Sequence, residues 1–148
     1  MSSAADGTQV LEWVERVAAF CVTEWGLAPI TGRILGWLMI CEPAEQSAGD
    51  IADTIGASRA SLTSNIRLLM ATGLVRRISR PGERTAYYRI EDDAWQKVME
   101  RKLAALSIFD DIAREGIDLA GDNHRARRIR VAQESMSRLA TSLKPRER

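Results

Sequence analysis

Histidine and cysteine are scarce in this sequence, which has one histidine, His124, and two cysteines, Cys21 and Cys41, among 148 residues. A lone histidine without partners at ligand spacing argues against a metal site, and two cysteines do not make a disulfide framework. No apolar run approaches the roughly 20 residues needed to cross a bilayer, and no signal-peptide pattern precedes the cysteines. We therefore expect a cytoplasmic chain in a reducing compartment, with no membrane association.

Signatures of catalysis are also missing. We find no glycine-rich phosphate loop, no nucleophile elbow and no cluster of metal ligands. With one histidine, acid–base catalysis would depend on carboxylates, and the 20 Asp and Glu residues show no convincing pairing along the sequence. The sequence therefore predicts a protein that is not an enzyme and that carries no cofactor.

The net charge of the whole chain is only +1 at neutral pH, but the charges are unevenly distributed. Residues 1–57 carry two arginines and eight acids, whereas residues 58–90 carry seven arginines and a single acid, Glu83. Arginine makes planar, bidentate contacts with phosphate and guanine, so this basic stretch predicts a nucleic-acid surface. An ordinary solvated basic face is the alternative.

A helix-turn-helix is predicted over residues 47–73. Ser47 and Asp50 have the spacing of a capping box, which starts a short helix that Gly56 closes. Ser58 then caps a second helix, predicted over about 58–72. The apolar face of this second helix is formed by Leu62, Ile66, Leu69 and Met70.

A β-hairpin is predicted directly after these helices. Residues 74–79 and 85–90 are rich in strand-forming residues, and a basic turn with Pro81-Gly82 at its tip separates them. A hairpin with a basic tip behind a helix-turn-helix is typical of a wing, here about residues 79–85. The predicted fold class is therefore mainly α with a small β-hairpin wing, a winged helix-turn-helix.

Apolar stripes with helical spacing flank the winged helix on both sides. A first helix is predicted from Thr8 to Trp25, and a second from Pro29 to about Cys41, whose Gly32 and Gly36 favour a close approach to another helix. Helical periodicity returns from Glu91, with a break over residues 118–123. A single winged helix has no second layer to cover these stripes, so we expect an obligate homodimer. The residues expected to be uncovered in one chain are Leu11, Val14, Ile129, Met136 and Leu139.

Residues 32–90 resemble the MarR superfamily of transcriptional regulators, and within it the GbsR-type branch. The resemblance rests on Gly32-Arg33-Ile34 with Gly36, on the helix start from Ser58 to Asn65, on Leu74-Val75-Arg76-Arg77 and on Pro81-Gly82-Glu83-Arg84. It implies a homodimer whose first and last helices interlock while two wings hold one DNA duplex. The chain then divides into a disordered N-terminus (1–7), an N-terminal dimerisation helix (8–28), the DNA-binding region (29–90) and C-terminal dimerisation helices (91–148).

The second helix of the helix-turn-helix, about residues 58–72, is the expected recognition helix. The DNA surface is predicted on the side of this helix opposite its apolar face. Small hydroxyls, an amide and arginines there suit base edges and phosphates of a major groove. The wing is expected on the minor groove or the DNA backbone through Arg80 or Arg84, because Glu83 and Arg84 follow Gly82 directly and lack the Asp-x-Arg spacing of many wings in this family. The strand arginines, including Arg89, are expected either to contact phosphate or to pair with acids of the N-terminal region. The predicted DNA-binding residues are Ser58, Arg59, Ala60, Ser61, Ser64, Asn65, Arg67, Arg76, Arg77, Arg80 and Arg84.

Four tryptophans, Trp13, Trp25, Trp37 and Trp95, stand out in a chain with 5% aromatic residues. Core packing is their ordinary use. GbsR-type relatives sense quaternary-ammonium osmolytes, however, and tryptophan faces bind such cations. The resemblance therefore implies a small-molecule effector that binds near these tryptophans and releases a repressor from its double-stranded DNA operator.

Two further alternatives remain open. A winged helix can serve as a protein-interaction module without an operator of its own, in which case an apolar exposed face is expected where this chain has arginines. Some relatives sense oxidants through a cysteine near the first helix, whereas a free cysteine on an apolar stripe is usually a small buried hydrophobe. Cys21 and Cys41 both lie on apolar stripes.

Overall fold

The computed structural model describes residues 6–143, so the first five residues of the N-terminus predicted to be disordered (1–7) and the last five residues of the predicted C-terminal helices lie outside it. The described residues form two compact units, divided between residues 94 and 95. The fold is mainly helical with one small antiparallel sheet, which confirms the predicted class. Its elements are α1 (Gly7–Trp25), α2 (Pro29–Ile40), β1 (Gln46–Ser47), α3 (Ala48–Ile55), α4 (Arg59–Ala71), β2 (Val75–Ser79), β3 (Ala86–Ile90), α5 (Ala94–Ala120) and α6 (His124–Leu143).

Helices α1 and α2 pack against each other at very short range. A Cβ atom at Gly32 would lie 2.8 Å from the Ala18 Cα, and one at Gly36 would lie 3.2 Å from the Val14 carbonyl oxygen. The two glycines therefore permit the close approach that their spacing predicts. The expectation that Val14 is uncovered is wrong, because Val14 is buried where α2 crosses α1.

Helices α3 and α4 form the predicted helix-turn-helix. The Ser47 hydroxyl accepts a hydrogen bond from the Asp50 amide at 3.1 Å, and the Ser58 hydroxyl accepts one from the Ser61 amide at 3.1 Å, so serine caps both helices. Gly56 ends α3 in the left-handed conformation, with φ of 71°. The caps therefore fix where each helix begins.

The sheet has one strand more than the predicted hairpin. β2 and β3 pair antiparallel, with Arg77 opposite Tyr88, and the two-residue strand β1 adds to the other edge of β3. β1 connects directly to α3, so the sheet holds the start of the helix-turn-helix as well as the wing. Two residues are too few to produce an alternating pattern, which explains why the sequence did not predict this strand.

The second unit consists of α5 and α6. Helix α5 continues to Ala120, through the first residues of the break predicted over 118–123, and Gly121 follows in the left-handed conformation. The Asn123 side chain caps α6 by accepting from the Arg125 amide at 2.9 Å. Between residues 95 and 143, the buried residues are three alanines, namely Ala113, Ala120 and Ala126.

Within residues 6–143, no helix combines the length and the apolar character that a membrane crossing requires.

Candidate nucleic-acid interface

Helix α4 has two chemically distinct faces. Leu62, Ile66 and Leu69 are buried, as the periodicity predicts. The predicted DNA-contacting residues lie on the other side, where all but Ser61 and Asn65 are exposed. These exposed residues are Ser58, Arg59, Ala60, Ser64 and Arg67.

Two hydroxyl groups of this face, those of Thr63 and Ser64, donate their protons to the helix itself. The Ser64 hydroxyl donates to the Ser61 carbonyl at 3.1 Å, and the Thr63 hydroxyl donates to the Arg59 carbonyl at 2.8 Å. Their oxygen lone pairs remain available to hydrogen-bond donors on base edges. Thr63 is exposed and was not among the predicted residues, although its position in the first turns of α4 was a usable signal.

Asn65 has a different environment from its neighbours. Its Oδ1 accepts from the hydroxyl of buried Thr31 at 2.6 Å, and its Nδ2 donates to the Ser61 carbonyl at 2.8 Å. Both ends of the amide are thus engaged inside the first unit, one of them with α2. Direct contact between Asn65 and DNA stays a prediction.

The seven arginines of residues 58–90 divide into two groups. Three form ion pairs, Arg76 with Glu91 (3.5 Å), Arg80 with Glu45 (2.7 Å) and Arg89 with Asp92 (3.3 Å). The expectation that strand arginines pair with acids of the N-terminal region is wrong for Arg76 and Arg89, whose partners follow β3 directly. Within residues 6–143, the arginines of this stretch without an ion pair are Arg59, Arg67, Arg77 and Arg84.

Arg59 lies against the start of α3. A Cβ atom at Gly49 would be 2.6 Å from Nη2 of Arg59, so the absence of a side chain at Gly49 makes room for the guanidinium. The same surface cleft is lined by Asp50 and Asp53 of α3 and by Tyr88 of β3. Glycine at position 49 was the sequence signal for this contact, but only the fold brings it next to Arg59.

Arg67 and Arg77 line a second cleft between α4 and the sheet. Thr63, Met70 and Tyr88 contribute to its walls. Because Arg77 pairs directly with Tyr88 across the two strands, their side chains lie on the same face of the sheet. This arrangement brings one helix arginine and one strand arginine, both without ion pairs, to a common surface.

The wing ends in a tight turn. The Glu83 amide donates to the Arg80 carbonyl at 3.1 Å, and Gly82 has φ of 78°, as a type II turn with Pro81 before the glycine requires. Arg80 packs over the Tyr87 ring, with Cζ 3.7 Å from the ring centroid, and its hydrogen bond to Glu45 raises the pKa of the guanidinium above its ordinary value. Arg84 is fully exposed, so the two wing arginines occupy different environments.

The two cysteines are buried thiols. Cys21 has no exposed surface, and the Cys41 thiol lies within 3.7 Å of the Leu38 and Ala44 carbonyl oxygens. Burial raises the pKa of both thiols above their ordinary value of 9.0. The thiolate that reacts with oxidants is therefore disfavoured at both sites.

The four tryptophans are divided between the two units. Trp13 and Trp25 lie on α1 and Trp37 on α2, while Trp95 lies on α5. Trp25 makes an edge-to-face contact with Phe20, with 5.2 Å between the ring centroids. Nε1 of Trp37 is shielded from solvent and has no hydrogen-bond acceptor among residues 6–143. An effector pocket that uses these residues stays a prediction.

Comparison with known proteins finds similar transcriptional regulators. Residues 25–84 match the model of the MarR family. The HTH-type transcriptional regulator MmpR5 of Mycobacterium tuberculosis is 28% identical over 130 residues, which cover 86% of this chain and 78% of that protein. A crystal structure of a transcriptional regulator matches with a TM-score of 0.72 and 27% identity, over 90% of this chain and 92% of the other. These similarities are to transcriptional regulators and not to enzymes, and residues 25–84 are similar to the MarR family of winged-helix regulators.

Proposed function

We propose that this protein is a repressor that binds a specific double-stranded DNA sequence in the cytoplasm, with α4 in the major groove and the wing on the minor groove or backbone. The observation that carries the proposal is the division of the seven arginines. Those without ion pairs, Arg59, Arg67, Arg77 and Arg84, lie on the recognition helix, on the sheet next to it and on the wing. Unpaired arginines are available to phosphates and guanines without first losing an internal partner.

Side-chain chemistry suggests a division of roles on this surface. Ser64 and Arg67 lie on the exposed face of α4, where a helix in the major groove meets base edges. Arg84 and Arg77 lie on the wing and its strand, where contacts are made mainly with sugar and phosphate. We therefore assign sequence preference to α4 and general affinity to the wing.

The test begins with selection of bound duplexes from a random DNA pool, followed by salt-dependent binding to the selected sequence. Arg84→Ala is expected to weaken binding to all duplexes and to lower the slope of log K against log salt by about one. Arg67→Ala and Ser64→Ala are expected to reduce the preference for the selected sequence. Arg16→Ala, which removes an exposed arginine from α1, serves as the control and should leave both properties unchanged.

Equal binding by the parent, Arg84→Ala, Arg67→Ala and Ser64→Ala would contradict this placement of the DNA surface. A protein that selects no duplex would favour the alternative, a winged helix used as a protein-interaction module. Leu68, an apolar residue on α4 with 53% of its surface exposed, is the feature that a partner protein would use in that case.

The proposal includes a homodimer. The second unit buries only alanines among residues 95–143, and the large apolar side chains of Ile108, Ile112, Leu119 and Leu139 are each more than half exposed. Each such side chain gains about 1.5–3 kcal/mol when it is fully covered, so a second copy of the chain would stabilise these helices strongly. Sedimentation should give about twice the 16.4 kDa of one chain, and a clean monomer at micromolar concentration would contradict it.

We also propose an effector, in keeping with the resemblance to the GbsR-type branch. The support within the first unit is the Nε1 atom of Trp37, a buried donor that an acceptor on a ligand or a second chain would satisfy. The ligand can release DNA only if it binds the DNA-free arrangement of the dimer more tightly than the DNA-bound one. A tenfold loss of DNA affinity requires a difference of about 1.4 kcal/mol between these two binding free energies. Choline, glycine betaine and aromatic acids should be titrated against tryptophan fluorescence and DNA binding. No response to any of them at millimolar concentration would exclude the osmolyte effector.

A further inference from the structure

We propose that Arg80 is a positioning residue that holds the wing in shape and does not itself bind DNA, so that Arg84 is the DNA-binding arginine of the wing. The inference rests on the proposed DNA-binding function and makes it specific. It assigns different roles to two arginines that have the same charge and lie four residues apart in sequence.

The Arg80 guanidinium is attached on two sides. Nη2 lies 2.7 Å from Oε2 of Glu45, in the segment before β1, and Cζ lies 3.7 Å above the centre of the Tyr87 ring on β3. The Glu83 carboxylate lies near the Tyr87 hydroxyl and raises its pKa above the ordinary value. We call these four residues, Glu45, Arg80, Glu83 and Tyr87, the wing brace.

The wing brace connects both ends of the turn to the central strand of the sheet. Arg80 and Glu83 are the first and last residues of the turn around Pro81-Gly82. The Arg80 side chain packs on the Tyr87 ring, and the Glu83 carboxylate raises the pKa of the Tyr87 hydroxyl. Tyr87 is paired with Ser47 of β1 and Ile78 of β2, so the brace is anchored in the sheet. Ordering a flexible turn costs conformational entropy, and a braced turn meets this cost before DNA arrives.

The alternative role for Arg80 is a contact with phosphate, which would require the guanidinium to give up its present partner. The guanidinium would have to leave Glu45, and the carboxylate would remain next to the DNA backbone and repel it. Arg84 has no internal partner to give up within residues 6–143. The brace is therefore compatible with DNA binding through Arg84 and is opposed to DNA binding through Arg80.

Salt-dependent DNA binding separates the two roles. We expect Arg80→Ala and Glu45→Gln to weaken binding to the selected duplex by about threefold to tenfold, with the slope of log K against log salt unchanged, whereas Arg84→Ala lowers the slope by about one. The double variant Arg80→Ala/Glu45→Gln should bind no more weakly than Arg80→Ala, because both changes break one interaction. Arg80→Lys keeps the ion pair and should restore part of the affinity.

Trypsin gives a readout that needs no DNA. The bond after Arg80 is resistant because Pro81 follows it, so cleavage within the wing reports on the bond between Arg84 and Thr85. This bond should be cut faster in Arg80→Ala and in Glu45→Gln than in the parent. Arg16→Ala should be cut at the parent's rate, and equal thermal unfolding of all variants would exclude general destabilisation.

Either of two results would overturn the inference. One is a slope reduction of about one for Arg80→Ala, which would show a lost phosphate contact; the other is parental trypsin resistance in both brace variants. If the parent selects no duplex while the brace variants are cut faster, the brace stands and the DNA-binding proposal fails. The two failures are therefore distinguishable.

Discussion

The hydroxyl of Thr31 and the side-chain amide of Asn65 are joined by a 2.6 Å hydrogen bond between α2 and α4. Thr31 is 1% exposed, so neither water nor another donor readily replaces it. The next residue, Gly32, is in contact with the backbone of α1. One buried polar pair therefore fixes the position of α4 on α2, the helix that also packs against α1.

Replacing Thr31 by valine keeps the shape of the side chain and removes only its hydroxyl. We expect Thr31→Val to lower the free energy of unfolding by about 1–3 kcal/mol, because Asn65 Oδ1 loses its buried donor. Thr63→Val is the control, since the Thr63 hydroxyl bonds to its own helix at an exposed position and its loss should cost less than about 0.5 kcal/mol. Urea unfolding at one protein concentration measures both, and equal stability of the two variants would refute the role of the pair.

The contact between α1 and α2 predicts that an alanine substitution lowers stability at Gly32 but not at Gly7. Gly32→Ala places a methyl group 2.8 Å from the Ala18 Cα, so the helices must separate, and we expect a loss of about 1–3 kcal/mol despite the better helix propensity of alanine. Gly7→Ala is the matched control, because no atom lies within 4 Å of the added methyl group. A Gly32→Ala protein that unfolds at or above the parent's temperature would show that the crossing is loose.

The Gly49→Ala substitution is expected to change DNA affinity without lowering stability. The methyl group of Gly49→Ala would displace the flexible end of Arg59 and no backbone, so stability should stay the same or rise by up to about 1 kcal/mol. DNA binding should weaken if Arg59 approaches the duplex from its position over α3. Calorimetry and a DNA titration on one preparation give the two values, and unchanged DNA affinity would remove Arg59 from the proposed interface.

The buried thiols predict resistance to oxidants. Because burial raises the pKa of Cys21 and Cys41 above 9.0, both thiols stay neutral at pH 7–8 and should react slowly with a disulfide reagent until the protein unfolds. Their contribution to stability is fully present below pH 9.0 and falls at higher pH, since ionisation then favours the unfolded chain. Rapid modification of either native thiol, or loss of DNA binding with peroxide, would instead support a redox switch.

The apolar surface of the second unit predicts where a dimer can be broken. Ile112→Glu and Leu139→Glu each place a charge where an exposed apolar side chain now lies, and each should weaken association by about a hundredfold or more, because twofold symmetry counts the change twice. Lys102→Glu changes an exposed charged residue of α5 and should leave the assembly intact. Sedimentation over a range of concentrations distinguishes these outcomes, and dimers of parental affinity in both apolar variants would contradict the interface.

Local signals in the sequence accounted for the ends of the helices and for the wing turn. Ser47, Ser58 and Gly56 act through atoms within a few residues of themselves, so their effect can be predicted from spacing alone. The environments of Arg80 and Asn65 could not be predicted in this way, because their partners Glu45 and Thr31 lie 35 and 34 residues away. The basic charge of residues 58–90 predicted a nucleic-acid surface, and only the fold separated the paired arginines of this stretch from the unpaired ones.

The buried residues of α5 and α6 between positions 95 and 143 are all alanines, so the proposed dimer would make the activity of this protein depend on its concentration in the cell. If two copies of the chain complete this unit, the fraction that is folded increases with total concentration by mass action. Newly made chains below that concentration would expose their helices to proteases, and chains above it would accumulate as the proposed DNA-binding dimer. Expression of a gene under such a regulator would then change sharply once the regulator passes a threshold concentration, and would not vary in proportion to the amount of regulator.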